Sequence, residues 1–199
     1  MAVKAVFLDK DGTLLENVPY NVDPERMRLV WGAGPALRRL HALGYSLIVV
    51  SNQPGVALGH FDTRALRAVE RRLREMFAGE DVPLAGFYYC PHHPDGRVRR
   101  YAVTCRCRKP APGLLLCAAT IHDVAAHRSW MIGDILDDVE AGARARCRTI
   151  LVDVGNETEW RYGTHRRPSA IVSDLPAAAA YVASSERGHV FGVRGSVHA

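Results

Sequence analysis

Short apolar runs that stop abruptly at a polar or acidic residue constrain this chain more than any other feature. Residues 3–8 run into Asp9, 45–50 into Ser51-Asn52-Gln53, 86–89 into Cys90, and 130–132 into Gly133-Asp134; residues 149–154 have the same shape. Unbroken apolar runs of this length predict strands buried on both faces of a parallel sheet. Helical patterns lie between them, at 35–43 closed by Gly44, at 62–77 with Asp62 or Thr63 as N-cap, at 112–124 and at 137–145. Residues 170–172 and 175–183 read as a last strand and helix, and 185–199 as a flexible tail. Alternating strand and helix predicts an α/β fold, a doubly wound, mostly parallel open sheet of the Rossmann-like kind. Such sheets bind ligands beyond the carboxyl ends of their strands, which is where Asp9, Ser51, Cys90 and Asp134 fall.

Composition sets the outer limits. A chain of 199 residues, 48% hydrophobic and 24% charged, suits one domain with its own core, here expected over 1–184. No apolar run approaches the ~20 residues a membrane helix needs, and 1–8 is too short for a signal peptide, so a cytoplasmic protein with no membrane partner is expected. The net charge of +5 comes mainly from Arg scattered among acids rather than gathered in a stripe. That distribution speaks against a nucleic-acid partner, although a zinc-ordered nucleic-acid-binding module is the alternative from a different class. A non-enzymatic receiver-like domain, accepting phosphate at a strand end, shares the expected sheet but needs neither a second carboxylate nor a thiol cluster.

Asp9-Lys10-Asp11-Gly12-Thr13 places two carboxylates two residues apart at a strand end. One can attack phosphorus, while the other protonates the leaving oxygen and then activates water. Cys90 and His92, with Cys105 and Cys107, offer three thiolates and one imidazole in two close pairs, the donor set of a closed structural Zn²⁺ site. His93 is an alternative to His92, but the Cys-x-His spacing favours His92. Residues 91–112 have no periodic apolar face, so a metal in the 90–107 loop would order a segment no core supports. Cys117 and Cys147 read as small buried hydrophobes.

The DxDGT string after an apolar strand resembles the first motif of the haloacid dehalogenase superfamily of phosphatases, which form an aspartyl-phosphate on the first Asp. The resemblance implies three further parts, and candidates stand in order. Ser51-Asn52 sits where the second motif holds phosphate, Lys109 where the third places a cation, and Gly133-Asp134, with Asp137 and Asp138 beyond, where the acidic fourth binds Mg²⁺. Because Mg²⁺ takes few carboxylates and several waters, Asp9, the backbone carbonyl of Asp11 and Asp134 would suffice.

Together with Tyr89-Cys90-Pro91-His92-His93-Pro94 and Cys105-Arg106-Cys107-Arg108-Lys109-Pro110, these motifs resemble the D-glycero-D-manno-heptose 1,7-bisphosphate phosphatases, whose relatives include the histidinol-phosphate phosphatases. The resemblance spans about residues 3–155. It implies a capless, Mg²⁺-dependent phosphatase of a small phosphorylated sugar, acting as a monomer with Asp9 and Asp11 as catalytic pair. Asn17, Val18, Pro19 and Tyr20 would then contact sugar, and Ser51, Asn52, Gln53, Arg108 and Lys109 would recognise phosphate and substrate. The longer stretch between the Cys-x-His and Cys-x-Cys pairs favours a heptose over histidinol phosphate. Ile135 departs from the family, which often has Lys directly after the metal-binding Asp.

Overall fold

The computed structural model describes residues 2–191, with side chains through Arg187. Six strands, β1 (Ala5–Leu8), β2 (Ser46–Asn52), β3 (Leu84–Cys90), β4 (Trp130–Gly133), β5 (Arg148–Val152) and β6 (Ala170–Val172), form one sheet in the order β3-β2-β1-β4-β5-β6. All pairings are parallel. The chain adds strands outward from β1 to β3, then crosses back to lay β4 against the other side of β1. The direction of winding therefore reverses between β1 and β4, and a crevice opens beyond their carboxyl ends.

The helices are α1 (Ala33–Ala42), α2 (Gly55–Leu58), α3 (Ala65–Ala78), α4 (Gly113–Ile121), α5 (Leu136–Arg144) and α6 (Leu175–Phe191). They cover both faces of the sheet. In β1, Val6 and Leu8 face one apolar cluster with Leu37, Leu40, Val69 and Phe77, whereas Ala5 and Phe7 face a second with Leu115, Ala118 and Ala141. The strand side chains alternate between two cores, which is why the sequence shows an unbroken apolar run.

The structure departs from the sequence reading in several places. Helix α6 runs on through 185–191, where a tail was expected, and residues 192–199 lie outside the described residues. Its Glu186 accepts from Lys4 Nζ and from the Tyr45 hydroxyl, both at 2.7 Å, so polar tethers hold a turn that apolar periodicity does not mark. The N-cap of α3 is Arg64, while Asp62 accepts from the Arg64 amide at 2.8 Å, too early in the chain to cap. Cys117 is exposed on α4, whose whole surface is apolar enough to hide which side faces in; Cys147 is buried as expected. Between Cys90 and Gly113 the chain forms only turns and bends.

Candidate active site

Strand β1 stops at Leu8 because the chain turns sharply after Asp9, and Gly12 makes that turn with φ +89°. A side chain at Gly12 would meet the ends of the Asp134 and Asn156 side chains, and the positive φ alone would strain any other residue there. The Asp9 amide donates to Ile132 O at 2.9 Å, tying the end of β1 to β4 across the crevice. Asp134 follows β4, and Asp138 enters from the first turn of α5, where its charge also suits the helix dipole.

Carboxylate oxygens of Asp9, Asp134 and Asp138 lie within 4.8 Å of one another, all three residues buried. Lys109 is the cation among them. Its Nζ pairs with Asp9 Oδ1, with Asp138 Oδ1 at 2.5 Å and with Val50 O at 3.2 Å. Burial alone would lower the Lys109 pKa, but the carboxylates of Asp138 and Asp9 raise it above the ordinary lysine value. Burial and the neighbouring Asp9 push Asp134 up to about 6, and Asp138 is likewise raised by burial. Three buried carboxylates against one ammonium leave negative charge uncompensated, and an oxygen-only donor set of this kind fits a hard divalent cation.

Asp11 stands apart from that trio. Lys10, itself buried, donates to its Oδ1 at 2.7 Å, and Gln53 Nε2 to its Oδ2 at 3.3 Å. Burial raises the Asp11 pKa; Lys10 opposes the shift and Asp9 adds to it. The Asp11 side chain therefore stands outside the Asp9, Asp134 and Asp138 cluster, held by its own hydrogen bonds. Asp138, part of the acidic fourth motif but not one of the three expected Mg²⁺ ligands, lies beside Asp9 and Asp134.

The pocket over these groups, about 280 Å³, is lined by Asp9, Asp11, Asn17, Ser51, Asn52 and Lys109, with Asp134, Ile135, Asp138 and Asn156 completing its wall. An adjoining pocket of about 230 Å³ shares Asp11, Asn17 and Asn52 and adds Val18, Pro19, Tyr20 and Gln53. The whole predicted sugar loop thus faces the site, with the Tyr20 ring 4.4 Å from that of His60. Asn52 also fixes the loop that carries the lysine, because its side chain accepts from the Lys109 amide at 3.0 Å and donates to Lys109 O at 3.1 Å. Gln53 also donates to Ser51 Oγ at 2.8 Å. Arg108 is half-buried, its Nη1 without a hydrogen-bond partner among the described residues, and it is not among the side chains lining either pocket.

Asn156 is absent from the sequence expectations, and Thr13 enters them only as part of the first motif. Thr13 Oγ1 donates to Asp134 Oδ1 at 3.0 Å and Asn156 Nδ2 to Oδ2 at 2.7 Å, so both carboxylate oxygens are oriented. Next in the chain, Glu157 Oε2 accepts from the Leu136 amide at 2.6 Å, anchoring the 153–157 turn on the start of α5. Thr13 was visible in the motif string; Asn156 lies in an irregular segment with no pattern to mark it.

The thiol cluster forms at the base of the coreless loop. Cys107 Sγ is 3.2 Å from Cys90 Sγ, 3.3 Å from Cys105 Sγ and 3.4 Å from His92 Nδ1, and Cys90 is 3.5 Å from both others. His93 turns away, accepting from the Asp95 amide at 3.2 Å. A tetrahedral ion with ~2.3 Å bonds to sulfur would have donor separations near ~3.8 Å, so this set fits such an ion with small outward shifts. The Arg108 amide points at Cys105 Sγ, 3.3 Å away, which couples the cluster directly to the Arg108-Lys109 segment.

Comparison with known proteins was consistent with this geometry. A family model described as HAD-hydrolase-like matches residues 106–178. The chain is 38% identical over 186 residues to D-glycero-beta-D-manno-heptose-1,7-bisphosphate 7-phosphatase of Escherichia coli K12, covering 89% of this chain and 94% of that one. The same enzyme of Salmonella typhi is 35% identical, with 89% and 95% covered. Among solved structures, D,D-heptose 1,7-bisphosphate phosphatase of B. bronchiseptica, complexed with magnesium and phosphate, superposes with a TM-score of 0.77 at 28% identity, covering 92% of this chain and 99% of that one.

Proposed function

The chain belongs to the D-glycero-β-D-manno-heptose-1,7-bisphosphate 7-phosphatase family, and from that premise we propose that it removes the C7 phosphate of a heptose 1,7-bisphosphate through an aspartyl-phosphate on Asp9. The observation that carries this reading is the meeting of Asp9, Lys109, Asp134 and Asp138 at the switch point of the sheet, with Asp11 beside them in its own hydrogen bonds.

Asp9, Asp134 and the Asp11 backbone carbonyl, with Asp138 close by, would hold Mg²⁺, which supplies positive charge against the phosphoryl oxygens. Lys109 adds a fixed cation there, and Ser51 a hydroxyl. An Asp9 oxygen attacks phosphorus as the ester oxygen departs, and Asp11 gives that oxygen its proton. Asp11, now ionised, takes a proton from water, the water oxygen attacks the phosphoryl group, and Asp9 is released with inorganic phosphate. Asn17, Val18, Pro19 and Tyr20 would receive the sugar, and Arg108, with an unspent guanidinium N–H, would engage the remaining phosphate.

The test is a comparison of kcat/KM for heptose 1,7-bisphosphate, fructose 1,6-bisphosphate and histidinol phosphate. The heptose should lead, with the C7 phosphate lost first. A preference for histidinol phosphate, or prior loss of the C1 phosphate, overturns the substrate assignment.

Asn156→Ala tests the support of Asp134. Because groups that orient a ligand typically carry ~10–100-fold of metal affinity, the variant should need that much more Mg²⁺ for half-maximal rate, with kcat at saturating Mg²⁺ little changed. Equal loss of kcat at every Mg²⁺ concentration would place Asn156 elsewhere in the reaction.

The Cys90, His92, Cys105 and Cys107 cluster is proposed to hold one structural Zn²⁺, leaving no open position for chemistry. Elemental analysis after dialysis should find about one zinc per chain. Cys107→Ser should lower activity indirectly, through the Arg108 and Lys109 segment, and activity of stripped protein should return with zinc plus magnesium but not with magnesium alone. Fully active protein without zinc contradicts the assignment. No helix among the described residues is long and apolar enough to cross a membrane, and the protein is proposed to work as a cytoplasmic monomer.

A further inference from the structure

A second polar cavity lies at the amino ends of the strands, across the sheet from the carboxylates. Lys4 directly precedes β1, Arg148 opens β5, His127 and Arg128 lie just before β4, and Glu186 reaches in from α6. These side chains line about 400 Å³, more than either pocket at the candidate active site.

Its charges do not balance. Glu186 is the one acid lining it among the described residues, and that carboxylate is already shared by Lys4 at 2.7 Å, the Tyr45 hydroxyl at 2.7 Å and, more distantly, Arg148 at 3.7 Å. Against it stand three cations and an imidazole. The Arg148 guanidinium makes no side-chain hydrogen bond among the described residues, and its Nε is shielded from solvent without a partner. The side chains of Arg128 and His127 likewise make no hydrogen bond or ion pair among the described residues. Residues 187–199 contain no Asp or Glu that could supply a missing side-chain counter-charge.

Two of the cations are also held in place. Arg148 lies over the Trp130 ring, 4.0 Å from its centroid, and Lys4 Nζ is 4.3 Å from the centroid of Tyr45. Cations stacked on rings lose little further freedom on binding, so their unspent N–H groups are preorganised. Guanidinium forks match the paired oxygens of carboxylate and phosphate alike. Arg148 and Arg128, with Lys4 and His127, offer more donors than the two oxygens of a carboxylate can use, and an excess of positive charge that one negative charge does not satisfy.

We propose that this cavity binds a phosphate dianion, free or carried on a small metabolite, with Arg148 and Arg128 as its principal donors. The assignment is independent of the heptose reading, since it uses none of the residues at the carboxyl ends of the strands.

The Trp130 indole, which lies under Arg148 and donates to the Tyr45 hydroxyl at 3.2 Å, is a built-in reporter. Its N–H resonance in the zinc-loaded full chain is followed during titration with inorganic phosphate and, separately, with methylphosphonate, which cannot be hydrolysed. At matched ionic strength, at least one of the two should shift it saturably, with millimolar or tighter affinity, whereas chloride should not. Response to phosphate alone identifies the free ion, and response to methylphosphonate identifies the substituted form. Arg148→Met and the exposed Arg128→Gln should each weaken binding by about tenfold or more, ~1.4 kcal/mol, and leave phosphatase kcat/KM unchanged. The second variant guards against repacking around Trp130 in the first. No saturable shift, an equal shift with chloride, tighter binding of acetate than of either probe, or undiminished binding in both variants overturns the proposal.

Discussion

Replacing Asp9 by Asn should leave a folded, zinc-loaded protein with no measurable phosphatase activity. The amide keeps the shape of the carboxyl group but cannot serve as the anionic attacker, so the covalent half-reaction loses its nucleophile. Asp138 remains 2.5 Å from Lys109 and Asp134 remains fixed by Thr13 and Asn156, so the pocket keeps its other parts. Loss of one partner from a buried ion pair ordinarily costs ~3–5 kcal/mol of stability. Here Asp138 and the Val50 carbonyl still satisfy Lys109, and the cost should be smaller. Thermal melting and zinc content verify that the variant is folded, and kcat/KM on the bisphosphate reads the chemistry. A rate within about tenfold of the parent, ~1.4 kcal/mol of barrier, would remove Asp9 from the nucleophile's role.

Legibility from the sequence follows from how each feature is encoded. Strands β1 and β2 could be read directly because burial on both faces leaves no polar residue in their interiors until the carboxyl end, where Asp9 and Ser51 break the run. Asp9, Ser51 and Asp134 were legible for the same reason, since they stand where apolar runs stop, whereas Lys109 comes from the coreless loop and Asp138 from α5. Asn156 and Glu157 could not be read, because they act from an irregular segment whose contacts with Asp134 and Leu136 span 21 or 22 positions without a periodic pattern. The last turns of α6 were missed because Glu186 is held by an ion pair with Lys4, 182 positions away in the chain. Asn52 lines the pocket, but its bonds to the Lys109 backbone could not be read, since they depend on β2 and the 105–110 segment meeting in space.

Asp11→Asn should slow turnover by ~10²–10⁴-fold, the usual worth of a positioned proton-transfer group, and here one side chain serves two such steps. The two steps separate by leaving group. With a sugar phosphate, whose departing alkoxide needs a proton, formation of the aspartyl-phosphate should be strongly impaired. With p-nitrophenyl phosphate, whose leaving group departs without help, that step should proceed nearly as in the parent, and the loss of the base should appear in hydrolysis. The variant should then show a burst of nitrophenolate of about one equivalent per chain, followed by slow turnover, and rapid quench should trap the acyl phosphate. The local structure sets a second expectation. Lys10 is buried and pairs with Asp11 at 2.7 Å, so an uncharged Asn leaves an ammonium with no acidic partner at that position. Some stability should be lost with the charge, and Lys10→Met in the same background should recover part of it without restoring the rate, because the proton-transfer group is still absent. Equal slowing of both substrates with no burst would mean that Asp11 acts by shaping the pocket and not by moving protons.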